Sequence, residues 1–185
     1  MRLVLLDRDG VINRDSANYI RQLDDWQPIP GSLDAIARLS AQGWPIAICT
    51  NQSGVARGLV SRSVVDAIHQ QLRTQVAARG GRVVDFFVCP HTDEAGCACR
   101  KPAPGLLQQA CEAFGIAPGE AVFIGDSTRD LEAAGRAGVR PVLVRTGHGA
   151  RVLAGDCAQG VESFPDLASA ADALLRAEGE QRSEP

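Results

Sequence analysis

The chain opens on Leu3-Val4-Leu5-Leu6-Asp7-Arg8-Asp9-Gly10-Val11-Ile12-Asn13, and this stretch constrains the fold more than any other. An unbroken apolar run with no alternation reads as a short strand buried on both faces, as in a parallel sheet. Ligands in open α/β sheets sit beyond the carboxyl ends of such strands. Asp7 therefore falls at a strand mouth, with Asp9 one step past it and Gly10 allowing a close backbone turn. Carboxylates this near to one another repel unless a cation or a shared proton relieves them. Taken alone, a D-x-D-G turn is equally the solvated end of any strand.

The rest of the chain repeats the pattern of strand, polar mouth and helix. Residues 14–30 read as an irregular loop ended by Pro30-Gly31. Ser32 then caps a helix through Leu33, Ile36, Ala37 and Leu39, which Gly43 stops. Trp44 to Cys49 is a second buried strand, closing on Thr50-Asn51-Gln52-Ser53-Gly54. Ser61 opens a longer helix with Val64, Val65, Ile68, Leu72 and Val76 on one face. Val83 to Val88 is a third strand, followed by a cysteine-dense loop, and Pro104 starts the next helix. Ala121 to Ile124 is a fourth strand ending in Gly125-Asp126, Leu131 to Ala137 a short helix, and Val139 to Val144 a fifth strand. A last helix takes in Leu167, Ala171 and Leu174. Alternation of this kind predicts an α/β fold, a doubly wound parallel sheet in a single domain over residues 1–177, with 178–185 a disordered charged tail.

Bulk properties narrow the function classes. For 185 residues one domain is the natural count, and a net charge of −3 argues against nucleic acid or a membrane surface as the main partner. No segment approaches the ~20 apolar residues needed to span a bilayer. A strand beginning at Leu3 leaves no room for a signal peptide, so six cysteines suggest metal or reduced thiols in a cytoplasmic protein rather than disulfides. No helix carries a large exposed apolar stripe, so a monomer is the expectation. Strand mouths bearing acids, a hydroxyl and a lysine are what phosphoryl transfer needs. Acids hold Mg²⁺, one of them attacks, and cationic and neutral donors balance the phosphoryl oxygens.

The order DRDG, TNQSG, RKP and GDSTRD, spanning Leu3 to Val144, resembles the haloacid dehalogenase superfamily of phosphatases. The longer stretches DRDGVIN, TNQSGVARG and CPH…CxCRKPxPG are similar to the D-glycero-D-manno-heptose-1,7-bisphosphate 7-phosphatase family, with histidinol-phosphate phosphatases the nearest competitor. By position, the resemblance implies Asp7 as nucleophile and Asp9 as acid and base, its raised pKa helped by exclusion of water. It implies Asp7, Asp126 and the carbonyl of Asp9 around Mg²⁺, and Thr50 and Lys101 on the phosphoryl oxygens. Arg8, Asp15, Asn18, Tyr19, Asn51, Gln52, Ser53 and Arg100 would meet a sugar phosphate. Asp130 reads as a helix-start residue in preference to an outer magnesium ligand. His69 reads as a core or surface residue and His148 as a loop residue, and Arg57 as either a substrate contact or part of a turn.

The same resemblance makes Cys89-x-His91-x₅-Cys97-x-Cys99 a zinc loop. Three thiolates and one imidazole form a closed set for structural Zn²⁺, which would order the segment presenting Arg100 and Lys101. Many members of the superfamily insert a cap domain after the first or second motif. Here both intervals are already filled by a helix and a strand, so an open, capless site is expected. A reading of another class, a phospho-accepting module without turnover, is opposed by Asp9, which such a module does not need.

Overall fold

The computed structural model describes residues 3–83 and 85–183, the last three by backbone alone. In chain order the elements are β1 (Leu3–Leu6), α1 (Ser32–Ala41), β2 (Ile46–Asn51), α2 (Arg62–Ala77), β3 (Asp85–Cys89) and α3 (Gly105–Phe114). They continue with β4 (Ala121–Gly125), α4 (Thr128–Ala137), β5 (Arg140–Val144), α5 (Gly149–Leu153), β6 (Glu162–Phe164) and α6 (Leu167–Ser183). The strands form one parallel sheet in the order β3-β2-β1-β4-β5-β6. At its centre Leu5 lies opposite Ala47 on one side and Phe123 on the other. The strand order reverses at β1, so the crevice beyond β1 and β4 is the switch point where such sheets bind ligands.

Strand alternation divides the core between two helical layers. Val4, Leu6, Ile46, Ile48, Val122 and Ile124 pack with Ile36, Leu72 and Leu174 of α1, α2 and α6. Leu3, Leu5, Ala47, Cys49 and Phe123 pack with Leu107, Ala110 and Ala133 of α3 and α4. All of β1 is fully buried, as an apolar run without alternation requires. Each such Leu or Val contributes about 1.5–3 kcal/mol relative to exposure, which holds the strand mouth rigidly where Asp7 begins. Among the described residues nothing stands over the cleft as a cap domain; α1 fills the first interval and α2 the second.

Several boundaries differ from expectation. β2 starts at Ile46 and runs to Asn51, and β3 runs from Asp85 to Cys89, with Val84 outside the described residues. Gly31 takes the N-cap of α1, while Ser32 donates from Oγ to the carbonyl of Ile12 at 2.6 Å. α4 begins earlier than its apolar positions suggest, because Ser127 and Asp130 close a reciprocal capping box. β6 and α5 are too short for their periodicity to register. α6 continues past Glu178 through Ser183, where a disordered tail was expected; Glu180, Gln181 and Arg182 are good helix formers and carry it on past Gly179. Among the described residues no helix is long and apolar enough to cross a membrane.

Candidate active site

The mouths of β1, β2 and β4 converge on one buried set of charges. Asp7 continues β1, its N–H donating to the carbonyl of Ile124 at 2.9 Å, so its carboxylate projects over the sheet edge. Lys101 Nζ lies 2.9 Å from Asp7 Oδ1 and 2.7 Å from Asp130 Oδ1. Asn51 fastens that lysine at two points, donating from Nδ2 to its carbonyl at 3.0 Å and accepting from its N–H at 3.1 Å. Asp130 Oδ2 accepts from the N–H groups of Asp126 and Ser127 and from Ser127 Oγ. Asp130 is thus the helix-start residue expected, but its other oxygen also belongs to the site. Asp126 follows directly on β4 and accepts the His148 N–H at 2.8 Å. Gly10 and Gly147 close around it; a Cβ at either would fall 2.2 Å or 2.0 Å from Asp126 Oδ2.

The electrostatics of this cluster ask for a cation. Carboxylate oxygens of Asp7, Asp126 and Asp130 all lie within 4.8 Å of one another. Burial pushes Asp7 up to about 7 even against the pull of Lys101. Burial, with the charges of Asp7 and Asp130 added, pushes Asp126 up to about 8. Burial also works on Asp130, but Lys101 outweighs it and holds that carboxyl below its ordinary value. Lys101 is held above its own ordinary range by Asp130 and Asp7, although burial opposes its charge. Oxygen ligands this crowded, with the ionised forms of Asp7 and Asp126 disfavoured, fit a hard divalent ion that restores the balance.

Asp9 lies apart from this triplet, its carboxylate turned toward four donors. Arg8 gives Nε to Oδ1 at 3.0 Å and Nη2 to Oδ2 at 2.9 Å. Asn13 Nδ2 reaches Oδ1 and Gln52 Nε2 reaches Oδ2, both at 2.8 Å. Beside the expected exclusion of water, Asp9 thus has protein donors on both carboxylate oxygens. Arg8, expected on substrate, has its guanidinium buried on Asp9 and His69 instead. Asn51 is spent on Lys101, and Gln52 on Asp9 and on Thr50 Oγ1, at 3.0 Å. Both amides line the cleft, and these hydrogen bonds tie them to the groups that form its floor. Because Thr50 accepts from Gln52, its own proton is free to point at a ligand.

Around these groups opens a polar cleft of about 380 Å³. Its wall carries Arg8, Asp15, Tyr19, Asn51, Gln52, Ser53 and Arg100 of the expected rim, together with Arg57, Asp93, Arg129 and His148. Asn18 is not on it. That residue's N–H donates to Ser16 Oγ and its carbonyl accepts from Arg21, while the chain turns at Tyr19, whose φ is +62°. Arg129 and Asp93 escaped sequence reasoning, though Arg129 stands next to Asp130 and shares its helix start. His148 is more than a loop residue, since Nε2 lies 3.1 Å from Asp15 Oδ2 across the mouth. Arg100 borders the cleft but is tied back, donating to Asp93 Oδ1 at 2.6 Å and to the His91 carbonyl at 3.1 Å.

Behind Arg100 the loop brings Cys89, His91, Cys97 and Cys99 together, with their donor atoms within 4.8 Å of one another. Sγ–Sγ separations are 3.7 Å for Cys89–Cys97 and 3.5 Å for Cys99–Cys97. His91 Nδ1 lies 3.6 Å from Cys89 Sγ and 3.4 Å from Cys99 Sγ. A tetrahedron with metal–sulfur bonds of ~2.3 Å and metal–nitrogen bonds of ~2.0–2.1 Å has S–S edges of about 3.8 Å and S–N edges of about 3.6 Å. The four donors fit one tetrahedral ion with no position left open.

Similarity to known proteins runs along most of the chain. A profile of the haloacid dehalogenase-like hydrolases matches residues 1–138. The chain is 51% identical over 174 residues to the D-glycero-beta-D-manno-heptose-1,7-bisphosphate 7-phosphatase of Pseudomonas aeruginosa, covering 94% of this chain and 98% of that protein. It is 49% identical over 175 residues to the protein of the same name from Pseudomonas putida, covering 95% and 100%. The crystal structure of D,D-heptose 1,7-bisphosphate phosphatase from B. bronchiseptica, complexed with magnesium and phosphate, matches with a TM-score of 0.92 and 44% identity over 96% of this chain and 99% of that one. Likeness that runs nearly end to end, on a cleft built at the switch point of the sheet, places the chain among the haloacid dehalogenase-like hydrolases. Within them it belongs to the D-glycero-beta-D-manno-heptose-1,7-bisphosphate 7-phosphatase family.

Proposed function

We propose that this chain removes the 7-phosphate of D-glycero-β-D-manno-heptose 1,7-bisphosphate, in the supply of nucleotide-activated heptose. The observation that carries the reading is Asp7, a carboxylate in ion-pair contact with buried Lys101 at the foot of an open polar cleft. Asp7, Asp126 and the carbonyl of Asp9 would hold Mg²⁺, with Asp130 adding charge behind them. When bound, Mg²⁺ neutralises the repulsion between an anionic nucleophile and an anionic phosphoryl group. Cys89, His91, Cys97 and Cys99 would hold Zn²⁺ in a structural role, fixing the loop that carries Lys101.

The chain's own residues then divide the chemistry. Lys101 and the Thr50 hydroxyl hold the phosphoryl oxygens and balance charge as it develops. The Asp7 carboxylate attacks phosphorus, the bond from phosphorus to the sugar oxygen breaks, and Asp9 delivers a proton to that oxygen. Water next yields its proton to Asp9 and attacks phosphorus, so the aspartyl-phosphate bond breaks and inorganic phosphate leaves with Asp7 restored. Asp9 has each lone pair engaged, so one donor releases it whenever it takes up a proton. With no cap domain, the loops read the remainder of the substrate. Arg57, Arg100 and Arg129 on one wall suit its second phosphate.

The exposed large apolar side chains among the described residues, Leu23, Leu59 and Leu153, lie on separate segments, which suits a monomer, and the free cysteines suit the reducing cytoplasm. The test is phosphate release with Mg²⁺ from both anomers of heptose 1,7-bisphosphate and from histidinol phosphate, beside Asp7→Asn. The expected result is preference for the β anomer, with turnover lowered roughly 10⁴-fold or more by the substitution. Faster turnover of histidinol phosphate would reassign the substrate. A stable phosphorylated Asp7 without turnover would make the chain a phospho-acceptor.

A further inference from the structure

His69 sits in the middle of α2, which the proposed chemistry leaves unused, yet it is only 5% exposed. Its ring stacks on Phe86 of β3, with centroids 4.1 Å apart and planes inclined by 13°. Its Nε2 lies 3.4 Å from Arg8 Nη1. Arg8, itself 1% exposed, spends Nε and Nη2 on the Asp9 carboxylate. A guanidinium only donates, so the contact requires an unprotonated Nε2, with the ring proton on Nδ1. Burial and the adjoining Arg8 charge favour that neutral ring and press its pKa down to about 3, with Arg62 and Arg73 adding to the effect and Asp9 opposing it.

We propose that His69 is a positioning residue: as an acceptor for Arg8 it holds the guanidinium in the orientation that grips the Asp9 carboxylate. This rests on the reading of Asp9 as the acid and base of the phosphatase. Arg8 has five donors, and two of them are satisfied by Asp9. Without His69, a buried donor on Nη1 loses its partner, and the guanidinium turns toward whatever acceptor remains. Asp9 would then lose both of its Arg8 contacts together, because the fork moves as one plane. Asn13 and Gln52 would still reach its oxygens, but neither fixes it bidentately.

Two substitutions separate acceptor from packing. His69→Phe keeps a ring against Phe86 and removes the acceptor; His69→Gln keeps an acceptor and removes the stack. The expected result is a fall of about tenfold in kcat with KM within about twofold for His69→Phe, part of the ~10²–10⁴ that a positioned acid–base group supplies. His69→Gln should stay within about threefold of the parent. Equal losses in both variants, a loss confined to His69→Gln, or no loss in His69→Phe would overturn the proposal. A second readout is independent of turnover: exchange of the Arg8 Nε proton, followed by NMR, should be slow in the parent and in His69→Gln and fast in His69→Phe. An inactive parent with this exchange pattern would sink the phosphatase reading and leave the His69–Arg8 contact standing. Uniform exchange would sink the contact itself.

Discussion

At Gly10 the backbone has a φ of +85°, and a Cβ there would lie 2.2 Å from Asp126 Oδ2. Two independent penalties therefore meet at one residue. A left-handed conformation costs an L residue roughly 1–2 kcal/mol, and the added methyl would displace a carboxylate that sits in the acidic cluster. Gly10→Ala should lower thermal stability by about that amount and also weaken Mg²⁺ binding severalfold. Calorimetric melting and a magnesium titration of phosphatase activity would read the two effects separately. A variant that lost stability but kept its magnesium dependence would detach Asp126 from the cation. The neighbouring residues show the same economy of short contacts. Arg8 stands between two acids, Asp7 and Asp9, yet its side chain serves only the second.

At the level of elements, the loop from Cys89 to Lys101 is the part whose order does not come from apolar burial. Apart from Cys89 its cysteines are only half-buried, and its one helical turn covers Asp93 to Ala95. Four donors at tetrahedral separations replace a core there, and the loop then carries Arg100 on Asp93 and Lys101 on Asp7. Cys97→Ser should reduce bound zinc from about one ion per chain to a small fraction and lower Tm by more than about 5 °C. Activity should fall after metal content, as measured by elemental analysis beside melting curves. Asp7→Asn, by contrast, should leave zinc content unchanged and the fold intact. Full zinc and unchanged stability in Cys97→Ser would refute a structural metal at this loop.

For the whole molecule, the raised carboxyls predict an unusual dependence of stability on pH. Asp7 and Asp126 have ordinary values of 3.8 and stand at about 7 and about 8 in the folded protein. Between about pH 4 and pH 8 the folded chain keeps protons that the unfolded chain has released. These two groups therefore lower stability as pH rises through that window, while His69, lowered from 6.5 to about 3, works the other way up to about pH 6.5. Asp130 shifts the other way, and its contribution is lost only on acidification below its ordinary value. The chain without Mg²⁺ should melt more than about 3 °C lower at pH 8 than at pH 6. Added Mg²⁺ should raise Tm more at pH 8, where it competes with fewer protons. Equal melting at the two pH values without Mg²⁺ would show that the acidic cluster is already relieved by another cation.

The parallel sheet was legible in the chain because unbroken apolar runs such as Leu3 to Leu6 admit few other placements, and the acids at their ends follow by position. The spacing of Cys89, His91, Cys97 and Cys99 was legible for a similar reason, since all four lie within one short loop. Tertiary structure alone decided which partners the polar side chains at and behind the cleft take. Asn51 is bound to Lys101, Gln52 to Asp9, and His69 to Arg8, each across a wide gap in sequence. Arg129 and Asp93 came to the wall through the packing of α4 and the fold of the metal loop. Hydrophobic periodicity says which face of an element is buried, but a polar partner depends on distances between elements. Those are set by sheet register and helix packing, which no local pattern of residues encodes.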